Sequence, residues 1–94
     1  MTVYVDGCLP YPHLARRTGH LQWCHLLADT REELHDFAAR LDVPRRAFQE
    51  HQIRWHYDIP DALRTRALAL GARAVDRRTV GLMLRARRFE MPTG

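Results

Sequence analysis

Aspartate and histidine stand beside apolar residues in three short segments of this chain. The segments are Val3-Tyr4-Val5-Asp6, Trp23-Cys24-His25-Leu26-Leu27-Ala28-Asp29 and Trp55-His56-Tyr57-Asp58. Apolar, β-favouring residues bring such segments into a sheet, and a carboxylate or imidazole at a strand end can then face a cleft. Carboxylates and neutral imidazoles bind divalent metals and transfer protons near neutral pH. The segments therefore predict a site for metal-dependent or acid–base chemistry.

The residue types suggest a role for each polar side chain. We expect Asp6 and Asp58 to hold a divalent metal, while His25 or His56 acts as the catalytic residue that transfers a proton. A phosphate-bearing ligand or a nucleic acid is the expected partner, because arginines follow the third segment and can neutralise phosphate. The residues expected to contact this ligand are Tyr4, Tyr57, Arg64 and Arg66.

Each of these residues also has a structural interpretation. Asp29 lies at a predicted helix start and Asp58 lies just ahead of Pro60, so either carboxylate can serve as a negative charge near a helix N-terminus. His56 can be a packed histidine with one hydrogen bond. Asp6 follows a strand with no obvious helix to cap. The sequence leaves the functional and the structural interpretations open.

The relative direction of the first two strands decides which carboxylates can meet. Parallel strands would put Asp6 and Asp29 at one edge of the sheet. Antiparallel strands would separate the two side chains by roughly 20 Å, at about 3.3 Å per residue, and would rule out a site that they share. The connection between the strands is long enough for either arrangement.

Strand signals recur along the chain. Strands are predicted over residues 2–6 and 21–28, with shorter ones near residues 55–58 and 72–75. Residues 8–20 contain two prolines and a glycine and are predicted to form a long loop. This spacing of strands predicts a sheet of two to four short strands.

Helix signals fill the intervals between the strands. Thr30 and Glu33 form a capping box ahead of an apolar stripe, which predicts a helix. Pro44 predicts a short helix, Pro60 opens a longer one, and Asp76 caps a last one. The expected fold is a small α/β domain in which three to four helices pack against the sheet.

The length of 94 residues supplies one modest core, so we expect a single domain over residues 1–88 and a flexible tail over residues 89–94. The chain is expected to be a monomer or a homodimer. No apolar stretch approaches a bilayer span and no leader pattern is visible, so we expect no membrane partner and a cytoplasmic location. Cys8 and Cys24 are expected to be reduced thiols, while a bridge between them stays open.

Every one of the 15 basic residues is arginine, against 11 acids, which gives a formal net charge of +4. Arginine suits bidentate contact with phosphate or carboxylate, so the alternative function is a non-enzymatic module that binds nucleic acid or an acidic protein. A GC-rich coding sequence would give the same bias. Basic and aromatic side chains also alternate in the pattern of a protein that binds single-stranded nucleic acid, at His51, Arg54, Trp55, His56 and Tyr57. The alternative is that these aromatic side chains fill the core.

Three motifs give the chain a family resemblance. They are Tyr4-Val5-Asp6, the run from Ala28-Asp29-Thr30 into Glu32-Glu33-Leu34-His35, and His56-Tyr57-Asp58. Together they resemble a family of small bacterial and phage proteins known as a domain of unknown function, family 4031. The resemblance covers about residues 2–80 and implies a shared fold and site without supplying a reaction. Members of that family often carry a second acid after the first motif, where this chain has Gly7.

Overall fold

Strands and helices alternate along the chain, and the computed structural model describes them over residues 2–90. The strands are β1 (Val3–Val5), β2 (Leu9–Pro10), β3 (Gln22–Ala28), β4 (Phe48–Gln49), β5 (His56–Pro60) and β6 (Arg73–Ala74). The helices are α1 (Pro12–Thr18), α2 (Arg31–Arg40), α3 (Asp61–Ala69) and α4 (Arg77–Glu90), and a 3-10 turn covers Arg45–Ala47. The predicted α/β class is confirmed.

All six described strands belong to one mixed sheet, in the order β4-β5-β3-β1-β6, with β2 paired to β3 beyond the end of β1. The pair β1–β6 is parallel and the other pairs are antiparallel. The number of strands exceeds the predicted two to four. The reason is that β2 and β4 have two residues each, which is too short to leave an alternating pattern in the sequence.

The segment predicted as a long loop, residues 8–20, holds β2 and α1 instead. Pro12 occupies the first turn of α1, where its missing N–H costs no helical hydrogen bond. Gly19 ends the helix with φ of 80°, a left-handed conformation that glycine adopts without strain. The prediction was wrong because proline and glycine mark the two ends of a short helix as readily as they mark a loop.

The predicted helix starts on either side of the sheet are confirmed. The Thr30 hydroxyl oxygen accepts from the Glu33 backbone N–H at 3.2 Å at the start of α2. Asp76 Oδ1 accepts from the Thr79 backbone N–H at 2.7 Å at the start of α4. Helix α4 continues through Glu90, two residues into the predicted tail. Residues 91–94 lie outside the described residues, so a flexible tail stays a prediction there.

The two faces of the sheet differ in what covers them. Helices α2 and α3 pack on one face, where the strands bury Val5, Cys24, Leu26, Tyr57 and Ile59. Because side chains alternate along a strand, the intervening residues point to the opposite face. That face carries Asp6, His25, Leu27, His56 and Asp58, and Val80 and Leu84 of α4 line a cleft over part of it. Over residues 2–90, none of the helices has the length and apolar character that crossing a bilayer requires.

Candidate functional site

A β-bulge places the carboxylate of Asp6. In the register between β1, β2 and β3, residues 6–8 lie opposite only residues 24–25, so one strand carries an extra residue. The carbonyl of Asp6 leaves the ladder and accepts from Arg64 Nε at 2.9 Å. The Asp6 carboxylate takes over as the acceptor for the His25 backbone N–H, at 2.6 Å. A bulge thus directs this side chain toward β3.

Asp6 uses both carboxylate oxygens on the same histidine. Besides the backbone contact, Asp6 Oδ2 accepts from His25 Nδ1 at 2.6 Å. Asp6 is only 2% exposed, and such charge-assisted hydrogen bonds offset the cost of burying its charge. This hydrogen bond raises the pKa of His25, and burial of the ring opposes the rise. In the neutral ring the proton lies on Nδ1, so Nε2 presents a lone pair.

His56 is fixed in the same tautomer by a different acceptor. His56 Nδ1 lies 2.6 Å from the carbonyl oxygen of Arg54. A carbonyl oxygen only accepts, so Nδ1 of His56 must donate. Nε2 of the neutral ring then carries a free lone pair. That Nε2 lies 3.1 Å from Asp58 Oδ1.

Three potential metal ligands converge at this point of the sheet. His25 Nε2 lies 3.7 Å from Asp58 Oδ1, and ligand atoms of His25, His56 and Asp58 all lie within 4.8 Å of one another. Among residues 2–90 this is the only such group of three. Two nitrogen lone pairs and a carboxylate oxygen repel one another unless a proton or a cation lies between them. The group could therefore hold a divalent metal ion.

The two histidines also line a cleft of about 430 Å³. Strands β3 and β5 form its floor, and Val80 and Leu84 of α4 form one wall. The segment of residues 49–54 forms the opposite wall. Arg77 lies near enough for its positive charge to oppose protonation of His25. The two histidines therefore lie beside a cleft that is open to solvent.

The structure brings together the four residues that the sequence predicts as metal ligands and catalytic groups, namely Asp6, His25, His56 and Asp58. Asp29 lies apart from them because β1 and β3 are antiparallel, the arrangement that rules out a site shared with Asp6. Asp29 accepts from the Thr2 backbone N–H at 3.0 Å and from the Tyr4 hydroxyl at 2.8 Å. Its contacts tie the ends of two strands together.

The residues predicted to contact a ligand lie elsewhere. Tyr57 is buried in the core, where its hydroxyl is hydrogen-bonded to His35 at 2.8 Å. Arg64 holds the bulge through the carbonyl of Asp6, and Arg66 lies 3.8 Å from Asp42 on the surface. Tyr4 is the middle residue of β1, and its hydroxyl is bonded to Asp29. None of these four predicted residues lines the cleft.

Three parts of the site were not predicted from the sequence. The acceptor for His56 is a backbone carbonyl, which has no signature in residue type. Val80 and Leu84 stand four apart and predict that α4 buries one side, but their spacing does not say which end of the sheet they cover. The bulge did have a signal, since Gly7 directly follows a strand and glycine often marks a bulge.

Fold and site together define a small α/β domain whose mixed sheet carries a histidine–carboxylate cluster beside an open cleft. The model of the family described as "Protein of unknown function (DUF4031)" matches residues 3–87, and the chain belongs to that family. This match confirms the family that the sequence resembles. No curated protein and no solved structure matches the chain.

Proposed function

We propose that this protein binds a divalent transition-metal ion through Nε2 of His25, Nε2 of His56 and a carboxylate oxygen of Asp58. The observation that carries this proposal is the convergence of the three ligand atoms within 4.8 Å, with Nδ1 of both rings already engaged by Asp6 and by a backbone carbonyl. Two imidazoles and one carboxylate suit Zn²⁺, Mn²⁺ or Fe²⁺. Three protein ligands beside a cleft are typical of catalytic sites, because structural zinc sites are closed by four.

In this proposal Asp6 does not contact the metal and instead supports one of the metal-binding histidines. Its carboxylate binds Nδ1 of His25, so it orients the ring and raises the basicity of Nε2. This role differs from the metal-ligand role that the sequence predicts for Asp6. The carbonyl of Arg54 does the same for His56. Each proposed histidine ligand thus has the supporting acceptor that metal-binding histidines usually have.

Glu50 lines the cleft but is paired with Arg31 at 3.1 Å, so the arginines beside the cleft favour a phosphate-bearing ligand, and a nucleic acid in particular. An adjoining depression of about 470 Å³ shares His51, Arg54 and Leu84 with the cleft, so the two form one groove. Arg85 and Arg88 line the far part of this groove. A chain of phosphates could therefore run from the proposed metal to these arginines, each contact adding electrostatic affinity.

The reaction that this arrangement supports is hydrolysis of a phosphoester. His25, His56 and Asp58 would hold a divalent ion, which would polarise a phosphoryl oxygen and lower the pKa of a bound water. Arg54, Val80 and Leu84 line the cleft, so Arg54 would bind phosphate beside the ion and the two apolar side chains would shield one side of it from solvent. The groove arginines orient the rest of the ligand.

The first test is a metal titration of the protein, measured by isothermal titration calorimetry. We expect the chelator-stripped protein to bind one equivalent of Zn²⁺ or Mn²⁺ and to lose this binding in His56→Ala and Asp58→Asn. Asp6→Asn should weaken binding by about 10- to 100-fold, because the outer acceptor orients a ligand without contacting the metal. The matched control is His13→Ala, which removes an exposed histidine outside the cluster and should bind normally.

Hydrolysis is then measured on bis(p-nitrophenyl) phosphate and on a fluorescent single-stranded oligonucleotide, with the metal present. Activity that is lost in His56→Ala and retained in His13→Ala supports the proposed reaction. Absence of metal binding, or equal binding by wild type and Asp58→Asn, would overturn the proposed site. Circular dichroism of each variant shows whether a loss comes from unfolding.

A second candidate function rests on the groove alone. The net charge is +4, and Arg54, Arg85 and Arg88 share one groove with apolar residues. A non-enzymatic module could hold nucleic acid or an acidic protein surface in this way. Binding that survives removal of the metal ligands would favour this candidate over the enzyme.

A further inference from the structure

The two cysteines lie side by side on neighbouring segments of the sheet, next to the bulge. Leu9 of β2 pairs with Trp23 of β3 in antiparallel register. Continuing this register by one residue places Cys8 opposite Cys24. Both thiols face the side of the sheet covered by α2 and α3, since Cys24 is buried in the core and Cys8 packs against it.

The hydrogen-bond pattern identifies what kind of pair they form. The Tyr11 backbone N–H donates to the Leu21 carbonyl at 2.8 Å, so these two residues are a hydrogen-bonded pair. Such pairs alternate with non-hydrogen-bonded pairs along an antiparallel ladder. The cysteine pair, three steps along, is therefore of the non-hydrogen-bonded type.

This type of pair has the dimensions of a disulfide. In a regular ladder the Cα atoms of such a pair lie about 4.5 Å apart, within the range of roughly 4.4 to 6.8 Å that disulfides span, and the Cys8–Cys24 pair stands where the ladder meets the bulge. Both cysteines are free thiols in the structure. The Cys8 and Cys24 side chains lie within hydrogen-bonding reach of each other. The side chains thus interact without being bonded.

We propose that Cys8 and Cys24 are a reversible redox site that forms an intramolecular disulfide on exposure to a small-molecule disulfide. Cys8 is the partly accessible member of the pair and Cys24 is 1% exposed. Cys8, as its thiolate, attacks one sulfur of oxidised glutathione and releases one glutathione. Cys24, as its thiolate, then attacks the Cys8 sulfur and releases the second. The cysteines lose two electrons and two protons, and the oxidised glutathione is reduced.

The bond would close a loop that contains β2 and α1. It would also join the chain just after Asp6 to the residue just before His25, and so fix the bulge between them. Helix α1 buries no residue of its own, so core packing stabilises this segment little. Closing the loop is expected to add stability by restricting the unfolded chain.

In the test, folded wild-type protein is incubated with oxidised glutathione in the presence of a metal chelator. The products are measured by mass spectrometry and thermal melting. We expect a species about 2 Da lighter than the reduced protein, with a melting temperature raised by roughly 10 °C and restored to its former value by dithiothreitol. Cys8→Ser should show neither change. Cys24→Ala is the second variant, and it should stop at a glutathione adduct on Cys8.

Three results would overturn the proposal. They are two free thiols after incubation, a glutathione adduct on wild type that does not resolve, and a bond that joins two copies of the chain on non-reducing gels. Because the metal is chelated throughout, none of these results bears on the proposed metal site.

Discussion

Among single residues, Asp6 combines two tasks that are usually separate. It repairs the sheet where the bulge removes a ladder acceptor, since it accepts from the His25 backbone N–H at 2.6 Å. It also sets the tautomer of the same histidine through Nδ1. A buried carboxylate with one partner for both tasks couples local folding to the chemistry of the site.

This coupling predicts a pH dependence of stability in the metal-free protein. The groups that face His25 are Asp6 from β1, Asp58 and His56 from β5, and Arg77 from α4. Because the pKa of His25 is raised above 6.5 in the folded state, the added stability is fully present below that pH. It is lost as pH rises through the folded pKa.

The measurement compares the free energy of unfolding of wild type and His25→Asn in urea between pH 5.5 and 8.5. The wild type should exceed the variant most at the acid end, and the difference should shrink toward alkaline pH. Histidines remote from His25 cancel in the difference because they have the same surroundings in both proteins. A difference that does not change with pH would contradict the ion pair.

Among the elements, α4 is held to the sheet largely through one arginine near its C-terminus. Arg87 Nη1 donates to the carbonyls of Ile53 and Trp55 at 2.8 and 3.0 Å, and Nη2 donates to that of Ala28 at 3.1 Å. Its guanidinium carbon lies 3.4 Å from the centre of the Trp55 ring, a cation–π contact. This anchor keeps the wall of the cleft in place.

Removing the anchor should therefore loosen the helix. We expect Arg87→Ala to lower the free energy of unfolding by about 2 to 3 kcal/mol, because several charge-assisted hydrogen bonds are lost at once. The control is Arg78→Ala, an exposed arginine at the first turn of the same helix, which should change stability by less than about 0.5 kcal/mol. Urea unfolding checks both, and equal effects of the two substitutions would show that α4 has no single anchor.

At the scale of the whole molecule, the fold brings several of the arginines to one surface. The sequence spreads its positive charges along the chain, but the fold brings Arg54, Arg85 and Arg88 to one groove that leads to the histidine–carboxylate cluster. Three of the 15 arginines thus lie where the proposed phosphate-bearing ligand would contact them.

Binding of a fluorescent single-stranded oligonucleotide should fall steeply with added salt. The logarithm of the association constant is expected to decline by about 0.7 for each phosphate contact per tenfold increase in salt. Arg85→Ala should weaken binding and reduce this slope by roughly 0.7. Arg17→Ala, an exposed arginine on α1 outside the groove, is the matched control for fluorescence anisotropy. Equal weakening by both variants would mean that diffuse charge, rather than the groove, holds the ligand.

The sequence by itself determined the class of fold, the family and the residues of the cluster. Local signals suffice for these, as capping residues start α2 and α4 and apolar runs form β1 and β3. Only the tertiary structure decided which residues meet. Pairing direction separates Asp29 from Asp6, a bulge turns Asp6 onto His25, and a backbone carbonyl fixes His56. The first two outcomes depend on contacts between segments far apart in the chain, and the third depends on a backbone group, which has no signature in residue type.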